Sequence, residues 1–236
     1  MRATMKTIYI LLTRSGTFLS KIVYLITGDM YTHASICFDG DLSSVYSSAR
    51  KNGETMFPAG PCQESFHRGF YKKNSHIPCA LYELQVTEEI YDQAKTEVHR
   101  IIKDADRYHF NIIGLVLCQL NIPFQRRYNF FCSQFVAEIL HRSQAVQLPK
   151  ETSVMRPMDY TKLPELNCCY KGLLKDLVKE RATLVWQEEE TDAVTERSWM
   201  QRMGYRVKYY GCHTVAMIAS FLANVLEYLT EIADFL

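Results

Sequence analysis

Asn129-Phe130-Phe131-Cys132-Ser133-Gln134-Phe135-Val136-Ala137-Glu138-Ile139-Leu140 is the stretch on which the reading of the chain turns. Cys132, Phe135, Val136, Ile139 and Leu140 fall at the i, i+3, i+4, i+7 and i+8 places of a helix that buries one face. Asn129 reads as the N-cap, which sets Cys132 in the first turn. A thiol there sits among unpaired backbone N–H groups at the positive end of the helix dipole. Both favour the thiolate, which is the nucleophile. A buried core cysteine would fit the same pattern, so the role of Cys132 turns on whether the chain supplies a base.

The bulk properties narrow the field. At 236 residues and 47% apolar, the chain can bury a core of one large domain, or of one domain with an appendage. Its 27 Lys and Arg against 26 Asp and Glu leave a formal charge of +1, which points to no nucleic-acid partner. The apolar run Thr7-Ile8-Tyr9-Ile10-Leu11-Leu12-Thr13 is short and has no cleavage site behind it, so it reads as a strand rather than a signal peptide. Eight irregularly spaced cysteines then suggest reduced thiols and a cytoplasmic setting.

The base comes from a hairpin. Thr32-His33-Ala34-Ser35-Ile36-Cys37-Phe38 and Leu42-Ser43-Ser44-Val45-Tyr46-Ser47-Ser48 alternate on either side of Asp39-Gly40-Asp41. Ala34, Ile36 and Phe38 form the core face, which leaves His33, Ser35 and Cys37 on the polar one. A turn centred on Gly40 and Asp41 sets Ser47 or Ser48 opposite His33, where a hydroxyl could orient the imidazole. Just before the hairpin, residues 17–26 carry Phe18, Ile22 and Leu25 at helical spacing, with Gly28 as the stop.

Residues 49–79, punctuated by Gly53, Pro58, Gly60, Pro61, Gly69 and Pro78, read as a long loop. The loop holds Cys62, His67, His76 and Cys79, four zinc-competent ligands that lack the close cysteine pair of zinc loops, and no metal is expected. Ala80–Val86 reads as a strand; its Glu83 is a lesser candidate for a catalytic carboxylate, a solvated strand residue being the commoner case. Thr87, Glu88 and Glu89 open a helix buried through Ile90, Ala94, Val98, Ile101 and Ala105, and a second helical stretch covers 111–120. Asp159-Tyr160 can start a short helix, and Cys168-Cys169 are read as core thiols in a closing strand.

From residue 181 the composition changes. Glu188-Glu189-Glu190 is a charge run, and Trp186 and Trp199 are the two tryptophans. Val215, Ile218, Leu222, Val225, Leu229, Ile232 and Leu236 repeat at alternating intervals of 3 and 4, the seam of a helix packing on another. Packing on its own domain, self-association or docking on a membrane surface are the uses open to it. The uncharged part, 214–226, is too short to span a bilayer, which takes about 20 apolar residues.

Tyr31-Thr32-His33-Ala34-Ser35-Ile36, Val45-Tyr46-Ser47 and Phe130-Phe131-Cys132-Ser133-Gln134-Phe135-Val136, with Ala80–Leu84 and Tyr170-Lys171-Gly172, resemble the circularly permuted papain-like members of the NlpC-type cysteine peptidases. The YiiX/YaeF-like branch is the nearest; lecithin:retinol acyltransferase is a more distant relative. The resemblance covers residues 6 to about 180 and leaves 181–236 outside. It implies an α+β fold, an antiparallel sheet packed against helices, over residues 1–180, with a C-terminal helical extension over 181–236. It also implies a thiol hydrolase without a cofactor. Cys132 would attack an amide or ester carbonyl, His33 would move the proton, and first-turn N–H groups would hold the oxyanion. The family's third polar residue is often an acid or a second histidine; here its place holds Ser47, which can hydrogen-bond an imidazole but not offset its charge. Substrates on this reading are small molecules, peptides or acyl conjugates. The alternatives are an acyltransferase of the same fold and a catalytically silent binding or scaffold module.

Overall fold

The computed structural model describes residues 4–14, 23–25, 27–51, 59–66, 71, 72 and 74–182. The apolar run near the N-terminus forms β1 (Met5–Thr13), the strand on which the sheet is built. β2 (His33–Cys37), β3 (Val45–Arg50), β4 (Ala59–Glu64), β5 (Pro78–Thr87) and β8 (Leu166–Leu173) complete a six-stranded sheet in the order β4-β3-β2-β1-β5-β8. Each pairing in it is antiparallel. A separate parallel pair joins β6 (His109–Phe110) to β7 (Asn129–Phe130). The helices are α1 (Glu88–Lys103), α2 (Ile112–Gln119), α3 (Cys132–Arg142) and α4 (Leu174–Ala182). The architecture is α+β, as expected.

The alternation along the strands sorts two cores. Ile8, Ile10, Leu12, Ala34, Ile36 and Phe38 face Ala94, Val98 and Ile101 of α1 and Phe135, Val136, Ile139 and Leu140 of α3. Leu11, Cys37, Val45 and Leu81 face Leu174 and Leu177 of α4. The second face of β2 is therefore not solvated: Ser35 and Cys37 are as buried as Ile36. A fully buried Ile or Leu contributes about 2 kcal/mol, so an element apolar on both faces is fixed at the centre of the sheet.

Several local expectations hold. Thr87 Oγ1 accepts a hydrogen bond from the Ile90 N–H, and Glu88 and Glu89 occupy the first turn of α1. Asn111 Oδ1 caps α2 through the Gly114 N–H. Gly28 takes a φ of +68° while its N–H closes onto the Tyr24 carbonyl, the helix stop read from sequence. Pro157–Lys162 is a short 3₁₀ segment around Asp159-Tyr160.

Others are corrected. Asn129 is not the N-cap of α3; it lies in β7, and its amide donates to the Arg127 carbonyl. Phe131 stands at the cap in extended conformation, with no side-chain cap. Residues 49–79 are not all loop, because β4 pairs with β3 from Val45↔Glu64 to Arg50↔Ala59. Gly60 and Pro61 suggested a loop; β4 is an edge strand, where a missing N–H costs no ladder bond. A Cβ on Gly60 would meet the Tyr108 carbonyl at 2.9 Å, so the glycine admits a close backbone approach. Ala105 falls beyond the end of α1, in a 3₁₀ turn. Cys168 is exposed and Cys169 half-buried on the opposite edge strand, so they are not both core thiols. The helix expected over 17–26, apart from 23–25, and the whole segment 183–236 with Trp186, Trp199 and the apolar repeat at 215–236 lie outside the described residues.

Candidate active site

β2 and β3 pair only at Ile36↔Tyr46 and Cys37↔Val45, while β3 continues along β4 to Arg50. Past Tyr46, what β3 meets is the lead-in to α3: the Ser48 hydroxyl donates to the Phe130 carbonyl at 2.7 Å. The N-terminus of α3 is thus delivered to the start of β2. Cys132, the first helical residue and 5% exposed, has its sulfur 4.0 Å from the Thr32 carbonyl, beside His33.

Burial alone would push the Cys132 thiol up. The charge of His33, a hydrogen bond to its ring, and backbone N–H groups of Ala34 and Ser133 outweigh that and hold it below the usual thiol value. Cys37, Cys62, Cys79 and Cys118 show what burial does without such partners: each is pushed up to about 12. Cys132 goes the other way.

His33 has a second partner, and it is a carboxylate. Its Nε2 lies 2.8 Å from Glu64 Oε1, with side chains 13% and 8% exposed. Burial pulls the imidazole down, but the opposite charges of Glu64 and Cys132 and their hydrogen bonds raise it to about 10, so it stays protonated at neutral pH. For Glu64, burial pushes the carboxyl up; the charge of His33 and hydrogen bonds from His33 and Ser35 bring it below the ordinary value. The Ser35 hydroxyl donates to Oε2 at 2.6 Å, and the Tyr71 hydroxyl stands 3.5 Å from Oε1. Sulfur, imidazole and carboxylate form one line, the imidazole between two acidic partners. A nucleophile, a proton carrier and a group orienting that carrier are the three parts that covalent acyl chemistry requires.

Cys132 and His33, chosen from sequence on separate elements, are therefore brought together. Ser47 is placed differently. The ladder Cys37↔Val45 and Ile36↔Tyr46, carried one step further, sets Ser47 beside Ser35 rather than His33. The expected register was off by one because Asp39–Leu42 closes a wider turn, with the Leu42 N–H on the Asp39 carbonyl and Leu42 at a φ of +61°. Ser47 lies fully buried beside the carboxylate, and Glu64 takes the contact with the ring that Ser47 was expected to make. Glu83 pairs with Tyr9 and Asn167 across β5, away from this cluster. Glu64 was missed because its strand was read as loop. The signal lay in Gly60, Cys62 and Glu64, which share one face of β4 opposite Ala49, Ser47 and Val45.

Of the zinc-competent set, His67 lies outside the described residues. Among those described, no three His, Cys, Asp or Glu side chains gather as a metal cluster. No described helix is long and apolar enough to cross a membrane. The chain matches no protein-family model and no curated protein.

Proposed function

We propose that the chain is a cysteine-dependent hydrolase of amide or related acyl bonds, on a permuted papain-like fold of the NlpC type in which the histidine strand precedes the cysteine helix. The observation that carries this is the buried Cys132–His33–Glu64 line, with Nε2 and Oε1 2.8 Å apart and a Cys132 thiol held below its ordinary pKa. Cys132 attacks the carbonyl as thiolate. The tetrahedral oxyanion is held by backbone N–H groups of the first turn of α3, which no side chain caps. The His33 imidazolium gives its proton to the leaving amine or alcohol, and an acyl-enzyme remains. The neutral imidazole, steadied by Glu64, then takes a proton from water as the water opens the thioester. Seven described cysteines are free thiols, which suits a cytoplasmic setting.

Transfer to an acceptor other than water is the second reading, and one observation favours it. Tyr24, Leu25 and Met30 precede His33, while Val116, Leu120 and Ile122 lie on or just after α2; all six are exposed. Val23 and Leu115 from those two segments pack with Phe131, next to Cys132. Exposed apolar side chains on segments packed beside Phe131 suit an acyl chain. The silent-scaffold reading gained weight from Ser47 standing where an acid belongs; Glu64 beside His33 supports the hydrolase reading instead.

A panel of amide, ester and thioester acyl donors, offered with and without amine and alcohol acceptors, tests the reading. The expected result is turnover by the wild type, an acyl adduct on Cys132 by mass spectrometry, and neither with Cys132→Ala. Turnover that survives Cys132→Ala, or adducts spread over all exposed cysteines and unchanged in His33→Ala, overturns it.

A further inference from the structure

Glu64 presents two oxygens to a buried site, and His33 engages only one. The other, Oε2, receives the Ser35 hydroxyl at 2.6 Å, and the same hydroxyl lies 3.3 Å from His33 Nε2. Ser35 is fully buried, two residues along β2 from His33 and on the same face. The strand backbone thus fixes the spacing between imidazole and hydroxyl. A carboxylate bound through both oxygens to one strand cannot rotate about its terminal bond without breaking a hydrogen bond in a site closed to water.

We propose that Ser35 is a positioning residue for this site: its hydroxyl locks the Glu64 carboxylate against His33, so that the thiolate of Cys132 forms at lower pH than it otherwise would. The proposal rests on the Cys–His–Glu reading. Without the hydroxyl, Oε2 becomes an unpaired buried acceptor, and Glu64 gains a reason to bind a proton. A protonated Glu64 offers His33 no counter-charge, and the imidazolium that supports the thiolate is lost. The titratable groups facing the carboxylate are His33 from β2, Cys62 from β4 and Tyr71 ahead of β5, with Cys132 beyond His33 on α3. None of these can donate to Oε2 from the position of Ser35.

Threonine and valine have nearly the same shape and differ in the hydroxyl, so Ser35→Thr and Ser35→Val test the bond apart from packing. The readout is the pH dependence of iodoacetamide alkylation of the full chain, followed cysteine by cysteine by mass spectrometry, with Cys168 as internal control and circular dichroism as the check on folding. Ser35→Val is expected to raise the pH of half-maximal Cys132 alkylation by about one unit, a tenfold loss of thiolate on the rising limb, while Ser35→Thr keeps the wild-type profile. Superposed profiles for folded Ser35→Val and wild type, or equal shifts in the Thr and Val variants, overturn the proposal while a shifted His33→Ala profile leaves the Cys–His pair standing. A His33→Ala profile that does not move overturns the pair and this proposal together.

Discussion

Glu64→Gln removes a charge and almost nothing else, keeping the size of the side chain and an oxygen able to accept. Two numbers set the expected magnitude. The ring and the carboxylate are 2.8 Å apart, with side chains 13% and 8% exposed, so water screens the pair little. His33 stands at about 10 against an ordinary 6.5, a rise worth roughly 5 kcal/mol at about 1.4 kcal/mol per pH unit. Burial opposes that rise; Glu64 is its largest cause and Cys132 the next. Breaking a buried ion pair costs about 3 kcal/mol at the low end. The His33 ring of Glu64→Gln should then titrate about two pH units lower. The assay is a pH titration of ¹⁵N-histidine-labelled protein followed at the ring nitrogens, with His33→Gln used to assign the resonance. If a folded Glu64→Gln protein titrates at His33 where the wild type does, the carboxylate is not what keeps the imidazole charged.

The same pair dictates how stability depends on pH. A folded-state pKa raised from 6.5 to about 10 means that the contribution of His33 is complete below pH 6.5 and is lost as pH rises through about 10. The lowered Glu64 pKa gives a contribution lost on the acid side. The Tm gap between wild type and Glu64→Gln should therefore be widest between about pH 5 and 6.5 and close towards strong alkali; a gap that widens there contradicts the assignment. Gly60→Ala forces a Cβ to 2.9 Å from the Tyr108 carbonyl and 3.2 Å from Lys51 Cε, and should cost about 1–3 kcal/mol in urea denaturation. An unchanged midpoint would mean that β4 can retreat from Tyr108. Glu138, buried on α3, accepts from Gln125 at 2.8 Å, Thr152 at 2.5 Å and Arg142 at 2.9 Å. Glu138→Ala should lower stability by about 2–4 kcal/mol, with Glu138→Gln between it and wild type; a near-neutral Glu138→Ala would show that the three donors find water instead.

What could be read from sequence followed periodicity. β1, β5 and α1 carry long, uninterrupted patterns and signals at their ends, and they emerged within a few residues of expectation. Which residues of β2 share a face followed for the same reason, but the face expected to be polar packs through Cys37 into a second core. The errors arose where one signal has two physical meanings. Pro61 ends a central strand but is tolerated on an edge, and sequence does not say that β4 is an edge. Asn129 caps helices often, but here its amide serves the turn at Arg127 while the chain enters α3 from β7. The hairpin slipped by one residue because a positive φ at Leu42 is not something leucine announces.

The slip at the hairpin matters because it changes what Ser47 is for. Read against His33, Ser47 is a weak third member of a triad, too poorly charged to steady an imidazolium. In the sheet order β4-β3-β2, however, His33 and Glu64 stand on strands separated by β3, and the side chain between them on that face is Ser47. A carboxylate on β4 reaches an imidazole on β2 only over a residue small enough to pass beneath it and polar enough not to strand its charge. Serine is both small and polar, and Ser47 is fully buried. Leucine or valine there would fill the gap with apolar volume and leave the carboxylate neither room nor a polar floor. The serine that read as a missing acid is what lets an acid two strands away reach the imidazole.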